Sequence, residues 1–433
     1  MSNHVVKNAG WIIGCKIVQS LINFVIGILS ARYLGPSNYG VITFVASVVA
    51  FTIPIMQLGF RHTLVKEIVK TPEQEGKILG TVLVLNVLSS LACVVGSVSF
   101  VALVDAGDRE TLLVCVLYSL SIIFQATDMI QYWFQAKLLS KFPSLVSLGS
   151  YVIVALYKVY LLATQKSIVW FAFSNTLDFL LISAALMVIY RKIGTQKLSF
   201  DWSLCRQLLS RSKYYIIPSL MVMVFQHTDR IMIKLMLGEA ETGLYSAAIT
   251  CIGITGFVFA AVIDSARPVI LAEKGKNEEL FEKRMVQLYS IITYMALAQS
   301  IAMTVLAKPI VLILYGKEFV GSVNILRVAV WFVTFAEFGS VRNVWILAEE
   351  KQKYLLGINV TGAVANVLLN LCLIPIWGSV GAAVASVVTQ FFTNVIIGFI
   401  FKPISTNNKL MLKGLNPKNT IDMVKGFLSR RNQ

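Results

Sequence analysis

About a dozen long apolar blocks dominate this sequence, and they constrain its fold more than any other feature. Each block continues for about 20 residues or more with few charges, long enough for a helix to cross a hydrocarbon core of about 30 Å. Only 14% of the residues are charged and 57% are hydrophobic, so the composition excludes disorder and argues against a soluble enzyme. Strand-type alternation is missing, which disfavours an outer-membrane barrel.

The apolar blocks predict an all-α integral membrane protein with about twelve transmembrane helices. The first block has about 22 residues and no A-x-A site follows it, so we interpret it as a retained helix rather than a signal peptide. The predicted spans are 10–31, 40–60, 79–103, 111–135, 142–163, 168–189, 214–236, 243–264, 286–306, 323–347, 354–374 and 379–401.

Lysine and arginine are distributed unequally among the segments between these spans. Of the 38 basic residues, 27 lie in the terminal segments and even-numbered loops, and 5 lie in the odd-numbered loops. By the positive-inside rule, this asymmetry predicts that both termini are cytoplasmic. The net charge of +16 follows from this loop bias, so we predict no nucleic-acid partner. The six cysteines form no CxxC site, and we predict neither a metal site nor a cofactor.

A short motif recurs at an offset of 203 residues. A Leu-Gly pair is followed by a second glycine five residues later, first at Gly35 and again at Gly238. The copies lie at the ends of the first and seventh spans. They predict two parallel six-span halves, related by a pseudo-two-fold axis along the membrane normal, around a central cavity. The predicted parts are an N-lobe at 1–200, a C-lobe at 201–405 and a basic cytoplasmic tail at 406–433.

Polar residues form stripes at helical spacing on several spans. Ionisable groups in hydrocarbon are costly and normally face a partner or a wet cavity. The stripe of the first span contains a lysine and that of the seventh an arginine, which favours an aqueous, cationic cavity. Interhelical hydrogen bonding is the alternative, above all for spans with only amides. The candidate cavity residues from these stripes and spans are Lys16, Gln19, Asn23, Gln226, Arg230, Arg342, Asn366 and Asn370.

Carboxylates within the spans are candidates for binding a coupling proton or sodium ion. Asp178 and Glu337 lie near the middle of their spans, where an intramembrane acid indicates a functional site. Asp128 and Asp229 are the other two candidates. A structural ion pair with a neighbouring Lys or Arg is the competing interpretation.

Three segments carry a family resemblance. They are Ser30–Pro36 with Tyr39-Gly40, Ile313–Gly316 continuing to Arg327, and Asn366–Asn370 with Ile374-Pro375 and Gly381–Ala383. With them the chain resembles, over essentially its whole length, the bacterial polysaccharide flippases of the multidrug/oligosaccharidyl-lipid/polysaccharide (MOP) exporter superfamily. This resemblance adds Arg32 and Arg327, which lie within the matched segments, to the candidate cavity residues.

The resemblance implies two lobes around a cationic cavity. It also implies that the chain flips an undecaprenyl-diphosphate-linked oligosaccharide from the cytoplasmic to the outer leaflet of the bacterial cell membrane, with H⁺ or Na⁺ as a coupling ion. The implied partners are this lipid-linked substrate, membrane lipid and glycan-assembly enzymes.

Other functions stay open at this point. One is a multidrug or organic-cation antiporter of the same superfamily, and another is a lipid II flippase, whose relatives have more spans. A membrane polymerase or ligase would require a large outward loop, whereas the longest predicted one, at 307–322, has about sixteen residues. No catalytic constellation is visible, so we predict a protein that is not an enzyme. A scaffold for glycan-assembly enzymes would use the stripes only for packing.

Overall fold

The computed structural model describes residues 3–417, with side chains from residue 14 onward, and contains helices and no strand within this range. Nine helical segments of this described part are long and apolar enough to cross a membrane. Two of them, Gly14–Met56 and Gln352–Ile400, each overlap two of the predicted spans. The seventh predicted span corresponds to the helix Ile216–Leu237, which is not among the nine. The prediction of an all-helical multi-pass membrane protein is confirmed, and the count of twelve stays a prediction.

The chain divides into two compact units, 1–235 and 236–433. Ten α-helices begin in the described part of the first unit: α1 Asn3–Met56, α2 Leu64–Lys70, α3 Glu75–Val104, α4 Arg109–Ser119, α5 Ser121–Thr127, α6 Ile130–Ala136, α7 Lys141–Ala163, α8 Ile168–Ile193, α9 Trp202–Ser212 and α10 Ile216–Leu237. The predicted lobe boundary after residue 200 rests on the repeat and stays a prediction.

Eight further α-helices form the described part of the second unit. They are α11 Glu239–Gly253, α12 Gly256–Leu271, α13 Glu278–Leu314, α14 Ser322–Ala329, α15 Trp331–Ala348, α16 Leu355–Phe391, α17 Ile397–Ile400 and α18 Ser405–Leu415. A π-helical turn, Phe392–Ile396, joins α16 to α17. Short 3₁₀ turns lie between several of the helices in both units.

Glycine turns interrupt the helical chain at the repeated motif. Gly35 has φ 71° and ψ 173°, and Gly238 has φ 94° and ψ −174°. This backbone region is essentially restricted to glycine. The same conformation occurs at Gly316, with φ 87° and ψ −174°. This turn therefore marks a third helix junction as well, and the shared turn geometry is enough to explain the two motif copies. The duplication of the two halves stays a prediction.

One hydrophobic cluster of the first unit lies around α6 and includes residues of α3 and α8. The Trp133 ring packs edge-on against Tyr190, with centroids 5.0 Å apart. Beside it the Glu75 carboxylate, only 1% exposed, pairs with the Lys137 ammonium at 2.6 Å and accepts a hydrogen bond from Thr195 at 2.7 Å. A buried acid needs such partners to remain charged.

Helix α18 is part of the second unit and packs on α13. The Tyr289 hydroxyl donates to Asn407 Oδ1 at 2.9 Å, and the Ser290 hydroxyl donates to the carbonyl of Gly414 at 3.0 Å. Residues 406–415 of the predicted tail are therefore helical and partly buried. Residues 418–433 of that tail lie outside the described part of the chain.

Two predicted spans are less regular than their apolar patterns suggest. The span predicted at 111–135 is divided into α4, α5 and α6. The span predicted at 379–401 contains the π-helical turn. Hydrophobic periodicity cannot predict such interruptions, because a local shift from i−4 to i−3 or i−5 hydrogen bonding barely changes which residues are apolar.

Candidate functional site

A small polar cavity of about 50 Å³ lies within the first unit, between α1, α7 and α8. Its lining combines an acid, a base and two amides in otherwise apolar helices. The polar residues that line it are Asn23, Tyr151, Lys158, Ser174, Asn175 and Asp178. Asn23 and Asp178 are predicted site residues, so the structure brings one candidate cavity amide and one candidate ion-coupling acid to the same place.

Hydrogen bonding fixes the carboxylate in this cavity. The Ser150 hydroxyl donates to Asp178 Oδ1 at 2.6 Å and also approaches the backbone carbonyl of Asp178 at 3.0 Å. Lys158 lies close enough to interact electrostatically with this carboxylate. An acid and a base that share one cavity can hold a proton or a small cation, or can simply neutralise each other.

Lys158, Tyr151 and Asn175 are not among the predicted site residues. A usable signal exists, because Tyr151, Val154, Ala155 and Lys158 repeat at i, i+3, i+4 and i+7 and so share one face of α7. What the sequence lacks is the rotation of α7 against α8, which directs that face toward Asp178.

The stripe of the first span lies on an open side of α1. Lys16 and Asn23 are exposed within the described structure, and Gln19 is half-buried. Arg32, near the Gly35 turn, is also exposed. The structure therefore leaves the Lys16 and Arg32 side chains accessible, while Asn23 borders the polar cavity.

Helix α10 carries a second polar row in the first unit. Gln226 is exposed, and the Arg230 guanidinium lies 3.5 Å from Nδ1 of His227. The same nitrogen of His227 lies 3.3 Å from the Ser47 hydroxyl of α1. Asp229 is 6% exposed. The packing of His227 agrees with a structural role for this histidine and leaves Gln226 and Arg230 on the more open side.

A buried ion pair lies at the end of α10 in the first unit. The residue Lys234 is 7% exposed, and its ammonium pairs with Asp105 Oδ2 at 2.8 Å. The same ammonium lies 5.7 Å from the centre of the Phe44 ring. Nearby, Asp108 caps α4 by accepting from the backbone N–H groups of Glu110 and Thr111. Partial burial raises the pKa of Asp108, but these bonds, the Thr111 hydroxyl and Lys234 outweigh it and lower that pKa below its ordinary value.

The second unit buries a guanidinium. Arg342 is 4% exposed and donates to the backbone carbonyl of Thr393 at 2.7 Å. Thr393 belongs to the π-helical turn, where the Asn394 amide also donates to Gln390 Oε1 at 2.7 Å. π-helical turns free backbone carbonyls from the regular ladder. This turn gives Arg342 an acceptor inside the unit.

Four further predicted site residues lie in the second unit. The Asn370 amide donates to Asn366 Oδ1 at 3.2 Å, and both residues are buried. Arg327 is exposed and lies 3.5 Å from Asn324 Oδ1. Glu337, on α15, is half-buried.

Asp128 lies in the first unit, at the junction of α5 and α6. It is half-buried and accepts a hydrogen bond from the Gln131 amide. Among the predicted site residues, the structure thus joins Asn23 with Asp178 and Asn366 with Asn370.

Comparison with known proteins defines the family. Residues 5–272, more than half of the chain, match the family described as polysaccharide biosynthesis protein. The chain belongs to this family. It is 21% identical to the capsular polysaccharide biosynthesis protein CapF of Staphylococcus aureus over 415 residues, which cover 92% of this chain and 100% of CapF. It is also 24% identical, over 60% of its length and 52% of the relative's, to the uncharacterized membrane protein MJ1068 of Methanocaldococcus jannaschii.

Solved structures show which fold this family member has. The lipid II flippase MurJ in an inward closed conformation matches with a TM-score of 0.74 and 16% identity, over 93% of this chain and 90% of MurJ. An inward-facing multidrug resistance MATE transporter of the MOP superfamily matches with a TM-score of 0.70 and 14% identity, over 90% and 96%. The chain therefore has the MOP fold, and the predicted family is confirmed.

Proposed function

We propose that this protein transports an undecaprenyl-diphosphate-linked oligosaccharide from the cytoplasmic to the outer leaflet of the bacterial cell membrane, by alternating access between its two halves. The observation that carries the proposal is the family match over residues 5–272 in a chain with the MOP fold. The full-length similarity to a capsular polysaccharide biosynthesis protein supports a glycan cargo. In this proposal the chain is a transporter and not an enzyme.

The cargo explains why cations and amides occur on apolar helices. A diphosphate-linked sugar cannot enter hydrocarbon, whereas its isoprenoid tail can stay in lipid. Lysine attracts a phosphate as a point charge, and arginine can bind it in a bidentate manner. Amides such as Gln19 and Asn23 offer donors and acceptors to sugar hydroxyls. We assign diphosphate binding to Lys16 and Arg230, which lie on stripes of α1 and α10.

The membrane potential can drive outward movement of this anion. Each negative charge that moves out of a negative interior gains about 2.3 kcal/mol per 100 mV. In our proposal Asp178 adds a coupling site for H⁺ or Na⁺. The Ser150 hydroxyl holds its carboxylate in the polar cavity that Lys158 also lines. A transporter driven by the potential alone would not need such a site.

A genetic experiment tests the proposal. Deletion of the gene is expected to abolish the surface glycan and to leave lipid-linked oligosaccharide in the cytoplasmic leaflet, and the wild-type gene is expected to restore export. Normal surface glycan after deletion, without a second copy of the gene, would reject the glycan cargo.

A multidrug antiporter is the second candidate, favoured by the structural match to MATE transporters. It requires a pocket for an organic cation. The same deletion strain distinguishes the two, because loss of an antiporter would sensitise cells to cationic dyes while surface glycans stay intact.

A further inference from the structure

An apolar groove of about 390 Å³ runs along α3 on the surface of the first unit. We name it the linker groove, because the segment 194–201 between α8 and α9 forms one of its walls. Val84 and Leu88 of α3, Met187 of α8 and Phe200 of the linker are among its lining residues. Val84 is 42% and Leu88 is 60% exposed, so the groove is open on its outer side. Its volume lies within the range of ligand pockets.

The wall of the linker groove is held in place by contacts with α3. The Ser199 amide donates to the carbonyl of Gly76 at 3.3 Å, and the Asp201 amide donates to Thr81 Oγ1 at 3.0 Å. A side chain at Gly80 would meet the carbonyl oxygen of Ser199 at 2.4 Å, so the linker backbone lies directly on the helix. The groove is thus formed before any ligand arrives.

Two lysines lie beside one end of the linker groove, next to the lining residues Gly80 and Leu198. Lys77 and Lys197 are both exposed, and their backbones are adjacent, because a Cβ at Gly76 would lie 2.5 Å from the Lys197 carbonyl oxygen. The linker's acid, Asp201, accepts from the amides of Ser203 and Leu204 and so caps α9. The Asp201 carboxylate also lies close enough to Lys77 to interact with it electrostatically. The two lysines still outnumber this acid at this end, which favours an anionic ligand.

The lysine end has the composition of a membrane–water interface. Trp202, the first residue of α9, is 64% exposed and packs near Phe200, with ring centroids 5.9 Å apart. Exposed tryptophan beside basic residues is typical of the headgroup level. From Lys77 to Leu88, α3 rises about 16 Å. Along this distance the surface changes from the two lysines to a groove lining that is apolar except for Ser199 and Thr127.

We propose that the linker groove binds one anionic glycerophospholipid, with an acyl chain along Val84 and Leu88 and the phosphate at Lys77 and Lys197. The order of charge and apolar surface along α3 matches the order of head and tail in such a lipid. The groove volume of about 390 Å³ is of the size of one acyl chain. This lipid is distinct from the transported cargo, so the inference does not depend on the proposed function.

Lipid retention by the purified protein tests the proposal. Native mass spectrometry in detergent, with phosphatidylglycerol and phosphatidylcholine of identical chains, measures which lipid stays bound. The wild-type protein is expected to retain phosphatidylglycerol preferentially. Val84→Trp fills the groove and is expected to abolish retention. Lys77→Gln and Lys197→Gln are each expected to reduce the preference for phosphatidylglycerol about fivefold, the size of one lysine's attraction to anionic lipid.

Matched variants control this test. Val95→Trp places the same ring at an exposed position of α3 outside the groove, and Lys70→Gln removes an exposed lysine of α2. Both are expected to behave as wild type. If Val84→Trp does not fold, Leu88→Trp replaces it. Three results would overturn the proposal. They are equal retention of the two phospholipids, equal effects of Val84→Trp and Val95→Trp, and stronger retention of undecaprenyl phosphate than of phosphatidylglycerol.

Discussion

The Ser150 hydroxyl of α7 donates a 2.6 Å hydrogen bond to the Asp178 carboxylate of α8. This bond fixes the orientation of an acid in a polar cavity that Asn23 and Lys158 also line. A serine hydroxyl can donate to an amide oxygen as well as to a carboxylate, although its bond to the charged group is stronger. The charge of Asp178 can therefore be removed by substitution while this contact is kept.

Asp178→Asn tests whether the cavity couples transport to an ion. We expect the variant to fold and to transport cargo without any dependence on a pH or sodium gradient, because the site can no longer be protonated or hold a cation. Transport by proteoliposomes with and without the gradient measures this. Asp264→Asn, at an exposed acid of α12, is the matched control. Unchanged gradient dependence in Asp178→Asn would reject the coupling role.

Lys158 and Asp178 are expected to stabilise each other. Removal of one charge leaves the other in apolar surroundings. The double variant Lys158→Met with Asp178→Asn should therefore be destabilised by less than the sum of the two single effects. Residues in one network typically show coupling of about 0.5–3 kcal/mol. Unfolding of the four proteins in detergent supplies the double-mutant cycle. A coupling energy near zero would show that the two charges act independently.

Asp108 is expected to support α4 in a pH-dependent way. Its pKa in the folded protein is lowered, so its stabilising contribution is present above the unfolded pKa of about 3.9 and is lost as the pH falls through the lower folded value. At neutral pH, Asp108→Ala should remove about 1 kcal/mol, the usual contribution of an N-cap, and Asp108→Asn should remove less.

Thermal unfolding at pH 7 and near pH 3 measures this contribution. The difference between wild type and Asp108→Ala should shrink at the lower pH. An equal difference at both pH values would contradict the cap assignment.

Gly238 provides a test of the helix junctions that uses backbone strain alone. A Cβ at this position would meet no atom within 4 Å, so the effect of Gly238→Ala comes from its φ of 94°. We expect a loss of about 1–3 kcal/mol. A Cβ at Gly27, inside α1, would also meet no atom within 4 Å. Because alanine favours the helix over glycine, Gly27→Ala should be neutral or stabilising by up to about 1 kcal/mol. Equal stability changes in the two variants would contradict the turn geometry.

The parts of the fold that depend on length and hydrophobicity could be predicted from the sequence. The apolar blocks predicted the multi-pass helical class, and the Leu-Gly motif marked the turns at Gly35 and Gly238, because the unusual conformation requires glycine. The repeat alone could not fix where the compact units divide, since that depends on how α10 packs.

The site was harder to predict, for a physical reason. Asn23 and Asp178 could be selected because polar groups are rare in apolar spans. Their meeting with Lys158 depends on the rotation of three helices, which hydrophobic periodicity leaves undetermined when most faces are apolar. Likewise, the burial of Arg342 against the Thr393 carbonyl depends on a π-helical turn that has no sequence signature.

The most direct test of the central claim is transport by the purified protein in liposomes that contain undecaprenyl-diphosphate-linked oligosaccharide. The rate at which the oligosaccharide reaches a membrane-impermeant glycosidase on the opposite side is measured. We expect the wild type and the control Lys70→Glu to exceed protein-free liposomes. The variant with both Lys16→Glu and Arg230→Glu, folded by circular dichroism, should match protein-free liposomes. A wild-type rate no higher than that of protein-free liposomes would contradict the flippase function, and full activity of the doubly reversed variant would contradict the diphosphate site.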